Sequence, residues 1–238
     1  MNAPPRAKQV AGVWLPESET HFADMILHHS KAGIVDGKGT YQLHKLRAAL
    51  RHQPAERRRV CLDIGAHVGL WAMWLVREFA RVHAFEPVPA HADIFAFNVP
   101  AENATLHRVA LGQRAGTVSI EVPLVQTGGA FVATDRPNPG TKYNPAGAFD
   151  TWHAVPMATL DGFAFEDVDF IKIDVEGYER PVVEGGRETI VRWRPNVVVE
   201  QKGNEAAYGE ERDAAVAYLR GLGMKPLEVI SGDWIMGW

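Results

Sequence analysis

The residues best suited to chemistry fall in three short runs. The first is Leu62-Asp63-Ile64-Gly65-Ala66-His67-Val68-Gly69. Here a glycine turn leaves an apolar strand and opens a helix. Gly65 lets the backbone turn without interference from a Cβ, and Gly69 lets the helix start pack closely. A bound group is expected to meet backbone amides at this helix start. The second run, His83-Ala84-Phe85-Glu86-Pro87, ends the next strand. A carboxylate at that tip accepts hydrogen bonds from both ribose hydroxyls of a nucleoside; the alternative is a surface glutamate before a proline. The third run is Asp169-Phe170-Ile171-Lys172-Ile173-Asp174-Val175-Glu176-Gly177-Tyr178-Glu179. Asp174 falls at a strand tip, over the same site. Its acids can equally serve only as a helix start. Val197-Val198-Val199-Glu200-Gln201 sets Glu200 at a neighbouring tip. Asp174 and Glu200 together can hold one Mg²⁺, or one of them can act as general base.

The glycine spacing separates nucleoside ligands. A dinucleotide site wants G-x-G-x-x-G, with a pyrophosphate on the helix N-terminus. This chain has Gly65-x-x-x-Gly69, with Asp63 just before the turn. A carboxylate repels a pyrophosphate and attracts the ammonium of a methionine group, directly or through water. S-adenosylmethionine has a ribose, an amino acid and a sulfonium but no phosphate, so Asp63 favours it over NAD.

The elements that position these runs alternate. Strands are expected over 59–64, 82–85, 105–110, 170–174 and 197–200. Helices are expected over 68–79, 89–98, 180–193 and 213–222. The chain then closes with strands 226–230 and 234–238 around Ser231-Gly232-Asp233. Strand–helix alternation implies a mostly parallel sheet covered on both faces, and the closing hairpin adds one antiparallel strand. Upstream, 14–29 has room for one short helix, and 41–52 reads as another, stopped by Pro54. The expected organisation is a loose tail over 1–13, a helical extension over 14–58 and an α/β domain over 59–238. A Gly- and Pro-rich insert over 123–156 is expected to reach the carboxyl ends of the strands as a lid or acceptor loop, the alternative being a plain surface excursion.

Composition narrows the function classes. At 46 % hydrophobic and 23 % charged, the 238 residues suit a globular chain. No apolar run is long enough to span a bilayer, and the first dozen residues lack a secretory pattern, so a cytoplasmic protein is expected. A formal charge of −4 gives no general attraction to nucleic acid. The run 45–59 is locally basic, and reads either as a solvated helix face or as a contact for an anionic partner. The single cysteine, Cys61, reads as a buried hydrophobe.

Together the three runs resemble the FkbM-type methyltransferases. Val109-Ala110-Leu111-Gly112, Ala158-Thr159-Leu160-Asp161 and Glu184-Gly185-Gly186 fit the same pattern, followed by Pro195 and Glu200. The resemblance implies a class I methyltransferase fold, Rossmann-like, with seven strands and an antiparallel last strand. It also implies S-adenosylmethionine as donor and a hydroxyl on a sugar or a polyketide-like natural product as acceptor. It places Asp63, Gly65, His67, Gly69, Glu86, Pro87, Ala110, Leu111 and Asp174 around the cofactor. This chain has His67 where the family usually has asparagine. Asp174 leads as base or metal ligand, with Glu200 and His153 behind it. Rival readings are a methyltransferase of amines, peptides or nucleic acid, a non-catalytic nucleoside-binding module, and an NAD-dependent oxidoreductase. Lys172, mid-strand among apolar residues, is expected to snorkel or to pair with a carboxylate.

Overall fold

The apolar runs assemble into one seven-stranded sheet. Its strands are β1 (Val60–Ile64), β2 (Arg81–Phe85), β3 (Ala104–His107), β4 (Val168–Ile173), β5 (Asn196–Glu200), β6 (Lys225–Ile230) and β7 (Asp233–Gly237). This computed structural model describes residues 3–31, 33–123, 125–133 and 149–238. The spatial order is β3-β2-β1-β4-β5-β7-β6. β1 to β5 pair in parallel, and β7 runs antiparallel to both β5 and β6. This is the class I methyltransferase arrangement. The order reverses between β1 and β4, where open α/β sheets bind ligands.

Strand periodicity decides what reaches that point. Alternate residues face opposite sides of a sheet. Val60, Leu62 and Ile64 of β1, Ile171 and Ile173 of β4, and Val197 and Val199 of β5 form one core layer. Helices Glu179–Gly185, Arg187–Trp193 and Ala214–Gly221 cover it. The other face carries Cys61, Phe170, Val198 and Ile235 in a second core, under Leu43–Arg51, Ala72–Leu75 and Pro89–Asn98. Cys61 is wholly buried, as a small hydrophobe should be.

Two helices differ from expectation. The stretch 68–79 contains a single α-helical turn, Ala72–Leu75, because His67 and Gly69 hold positive φ at its entrance. The single helix expected over 180–193 is split at Gly185-Gly186. A Cβ on Gly185 would lie 2.0 Å from the carbonyl oxygen of Gly112, so the backbones cross there at closest approach.

The N-terminal region departs further. Residues expected as a tail form a hairpin, Ala7–Val10 with Val13–Pro16. Asn98 holds it, accepting from Trp14 N at 2.8 Å and donating to Trp14 O at 2.8 Å. The helix expected over 14–29 is reduced to His21–Asp24 and a π-turn over Met25–His29. The insert is narrower than expected. Phe149–Ala158 is a strand paired antiparallel with Gly116–Pro123 in a separate four-stranded sheet. Of the rest of the expected lid, 125–133 carry the turn Thr127–Gly129 and the short strand Phe131–Val132, while 124 and 134–148 lie outside the described residues. The basic run 45–59 is mostly tied internally: Lys45 to Asp233, Arg51 to Glu228, Arg57 and Arg59 to Asp169, and Arg58 to Glu78. No described helix is long and apolar enough to cross a membrane.

Candidate active site

The face that carries Cys61, Phe170, Val198 and Ile235 changes character at its carboxyl end. The next residues in register are Asp63 on β1, Lys172 on β4, Glu200 on β5 and Asp233 on β7, with Lys172 opposite Asp63 and Glu200 opposite Asp233. Asp174 follows on the same side. A period of two, applied to four neighbouring strands, thus gathers a charged floor from residues far apart in sequence. The Lys172 ammonium lies 3.3 Å from Asp63 and 3.9 Å from Asp174, and donates to Gly65 O at 2.7 Å. Burial opposes its charge, but Asp63 and Asp174 outweigh burial and raise its pKa. Lys45 reaches Asp233 at 2.6 Å, and Lys202 pairs with Glu200.

Oxygens of Asp174, Glu176 and Glu200 lie within 4.8 Å of one another. Burial, then the neighbouring Asp174, pushes the Glu200 pKa up to about 7 and lifts Glu176 well above the usual carboxylate range. A carboxyl that titrates near neutrality is suited to proton transfer. The same three oxygens could take a cation, though Lys202 already pairs with Glu200 and Asn204 donates to Glu176 at 2.8 Å.

Two cavities meet at this floor. The first is lined by Gly65, His67, Glu86, Pro87, Val88, His91, Ala110, Leu111, Asp174 and Tyr178, among others. Glu86 is buried at its edge and accepts from His67 N at 2.9 Å and Val88 N at 2.8 Å. Each of those oxygens keeps lone pairs for a ligand. His67 Nδ1 is buried without a hydrogen-bond partner, and His91 Nδ1, also buried, lies 3.4 Å from Glu86 Oε1. The turn Thr127–Gly129 contributes Thr127 and Gly128 to the wall. The second cavity, about 550 Å³, shares Gly65, His67, Gly128 and Asp174 with the first. Its floor includes Lys172, Glu176, Glu200 and Lys202, and its wall includes Phe22, Tyr41, His44 and Trp71.

The sequence-predicted residues divide accordingly. Gly65, His67, Glu86, Pro87, Ala110, Leu111 and Asp174 line the first cavity, and Glu200 lines the second. Asp63 lines neither: it is wholly buried beneath the Gly65 turn, with Lys172 between it and the open space. Gly69 is also outside, packed where a Cβ would meet Val99 at 2.6 Å. His153 lines neither cavity; its Nε2 lies 3.1 Å from Thr151 Oγ1 on its own strand. Most of the turn amides expected to meet a ligand are engaged within the protein: Gly65 N and Ala66 N donate to Phe85 O, His67 N to Glu86 and Gly69 N to Ala66 O. Sequence reasoning missed His91 and Tyr178; the N-terminal region, which the sequence marks as a place to select an acceptor without naming residues, supplies the wall of the second cavity. His91 follows Glu86 by five residues at the start of the helix Pro89–Asn98, a position that could have been flagged.

Comparison with known proteins names the family. Residues 63–226 match the methyltransferase FkbM domain. This chain belongs to that family and is an S-adenosylmethionine-dependent methyltransferase. Among solved structures it is similar to the methyltransferase FkbM from Methylobacillus flagellatus KT, at 14 % identity and a TM-score of 0.48. That match covers 76 % of this chain and 43 % of the other, so this chain spans less than half of that protein. It is also similar to a precorrin-6y C5,15-methyltransferase from Geobacter metallireducens GS-15, at 14 % identity and a TM-score of 0.45, covering 84 % and 92 % of the two chains. A third is the O-methyltransferase from Bacillus cereus in complex with SAH, at 14 % identity and a TM-score of 0.43, covering 90 % and 84 %. Among curated proteins none matches.

Proposed function

We propose that this FkbM-family methyltransferase methylates a hydroxyl of a sugar or similar small, polyhydroxylated acceptor bound in the 550 Å³ cavity. One observation carries the reading: Asp174, Glu176 and Glu200 converge within 4.8 Å where the two cavities join. A hydroxyl is a poor nucleophile until its proton is removed, and a carboxylate with a pKa near neutrality removes it during attack. An amine needs no such group at its reacting atom once it is neutral. Phe22, Tyr41 and Trp71 on the facing wall add flat apolar surfaces beside polar groups, a lining that suits a sugar ring.

The residues of the first cavity fit S-adenosylmethionine. Glu86 offers acceptor lone pairs to a ribose, while Val88, Val109, Leu111 and Tyr178 offer apolar contact to an adenine. Asp174, shared by both cavities, faces the cofactor's amino-acid part. Asp63 acts at one remove, by holding Lys172 and through it the Gly65 turn. When bound, the cofactor supplies an already activated methyl on sulfur, so the protein's own work is alignment and proton removal. Glu200 takes the proton, and burial, then Asp174 and Asp233, keep its pKa high against the opposing Lys202. The N-terminal region, 14–58, forms the acceptor wall.

A second reading is favoured by the same three oxygens: Asp174 and Glu200 would hold Mg²⁺, which would lower the hydroxyl pKa in place of a base. The test has two parts. Calorimetry with S-adenosylhomocysteine should show binding to the wild type and a loss of about 2–4 kcal/mol for Glu86→Ala. Labelled S-adenosylmethionine should then transfer label to hydroxylated sugars or small metabolites, and not to amines, peptides or nucleic acid. Transfer abolished by chelator and restored by Mg²⁺ would replace the base with the metal. Label appearing only on nitrogen would overturn the reading.

A further inference from the structure

A hydrogen-bond relay runs from the N-terminal region into the cofactor cavity. Glu19 is wholly buried, and it accepts from Phe22 N at 2.8 Å, Thr127 N at 2.6 Å and Thr127 Oγ1 at 2.6 Å. The Thr127 hydroxyl has one proton. A carboxylate that already accepts from two backbone amides has none to offer, so that proton points at Glu19. Thr127 Oγ1 also lies 3.0 Å from His67 Nε2. With its proton committed to Glu19, the hydroxyl can only accept, so His67 must donate from Nε2. Burial, reinforced by His91 and Lys172, lowers the His67 pKa well below its usual value, so the ring carries one proton and not two. Nδ1 is therefore a bare lone pair. It is buried, it has no partner in the protein, and its residue lines the cofactor cavity beside Glu86.

We infer that the Glu19–Thr127–His67 relay fixes His67 as the Nε2–H tautomer, so that Nδ1 accepts a hydrogen bond from a ribose hydroxyl of the bound cofactor. The inference rests on the cofactor reading above and sharpens it. An asparagine at this position would offer either an amide donor or a carbonyl acceptor; the histidine is committed to accepting by a residue in another element. Glu86 and His67 then present two acceptors to the two protons of a vicinal diol. Glu19, outside the cavity, is a positioning residue. Phe22 supports the arrangement: its ring packs 5.1 Å from the His67 ring, and a Cβ on Gly128 would lie 2.3 Å from it.

The test reads the tautomer and the affinity separately. In ¹⁵N-histidine NMR of the ligand-free protein, His67 Nε2 should show a pyrrole-like shift and Nδ1 a pyridine-like one. Thr127→Val should remove this fixed pattern and weaken S-adenosylhomocysteine about tenfold, the scale of one hydrogen bond, whereas Thr127→Ser should keep both. An analogue lacking the ribose hydroxyls should bind wild type and Thr127→Val equally. A protonated Nδ1 in the wild type would overturn the relay. So would a Thr127→Val protein with unchanged ring shifts and unchanged affinity. If the wild type bound no S-adenosylhomocysteine, the cofactor reading and the ligand half of this inference would both fall, while the ring shifts of the free protein would still decide the tautomer.

Discussion

Three glycine-to-alanine substitutions separate backbone strain from steric conflict at the Gly65 turn. Gly65, Gly69 and Gly203 all hold positive φ, at +76°, +88° and +99°. Nothing lies within 4 Å of a Cβ built on Gly203. Gly203→Ala therefore carries conformational strain alone, about 1–2 kcal/mol. On Gly69 the new methyl meets Val99 at 2.6 Å and Phe95 at 3.1 Å, both side chains that can give a little. On Gly65 it meets the backbone oxygen of Asp174 at 1.9 Å. Since contacts under 3.0 Å are essentially never seen for a Cβ, turn and strand tip must part by about 1 Å. That movement strains the bonds Asp174 N to Ile64 O, at 3.1 Å, and Lys172 Nζ to Gly65 O, at 2.7 Å. Adding about 1–3 kcal/mol for each of the two bonds to the conformational strain gives a loss of roughly 3–8 kcal/mol. At about 2–4 °C per kcal/mol for a chain of this size, Tm should fall by about 6–32 °C. Affinity for S-adenosylhomocysteine should fall on the order of 100-fold, because Asp174 and the turn line the cavity together. Calorimetric melting and titration give both numbers. A Gly65→Ala protein as stable as Gly203→Ala, with wild-type affinity, would refute the close approach and the placement of the cofactor there.

Other outcomes follow from the charged floor. With Glu200 near pKa 7, turnover at saturating cofactor should rise with pH through about 7 as the base loses its proton, and Glu200→Gln should flatten that limb and lower kcat by about 10²–10⁴; a wild-type profile level from pH 5 to 9 would remove Glu200 as base. Lys172→Met should destabilise by about 3–5 kcal/mol, because it strands the buried Asp63 carboxylate, and the double variant with Asp63→Leu should recover much of the loss in urea unfolding; equal instability of the single and double variants would show that the ion pair is not the cause. Against the burial that opposes it, bonding from Arg59 and Arg57 holds the Asp169 pKa below its usual value. The unfolded chain then binds more protons than the folded one in acid, so this contribution is complete above about pH 4 and is lost as pH falls through the folded pKa. Asp169→Asn should therefore lower Tm at pH 7 and have less effect near pH 3.

The sheet was legible because its strands are short, apolar and followed by glycine turns. Glu86, Asp174 and Glu200 could be placed from sequence for the same reason: each is the first acid after an apolar strand, and a strand tip in a parallel sheet faces the ligand. Asp63 was misplaced by one layer. It stands one residue inside its tip, and only the register of β4 against β1, which no local pattern carries, puts Lys172 over it. His153 was chosen for its neighbourhood in sequence, but the pairing of its strand with Gly116–Pro123 keeps it out of both cavities. The N-terminal region could be named from sequence, but not the contacts that seat it. Asn98 binding Trp14 and Glu19 binding Thr127 are contacts across 84 and 108 residues, and neither residue type announces its partner.

Those long spans also impose an order of assembly. The hairpin over 7–16, Glu19 and Lys45 are synthesised before Asn98, Thr127 and Asp233, their partners 84 or more residues downstream, exist to receive them. Lys45 waits longest, since Asp233 lies 188 residues further on. Long-range closure of this kind is slow relative to local helix formation. On the ribosome, the Gly65 turn can therefore form while the N-terminal region still hangs undocked, leaving Phe22 and Trp71 exposed to water. Placing β7 between β5 and β6 is what brings Asp233 to Lys45, so a chain that cannot place that strand is left with the helix Leu43–Arg51 unpinned and the charged floor incomplete.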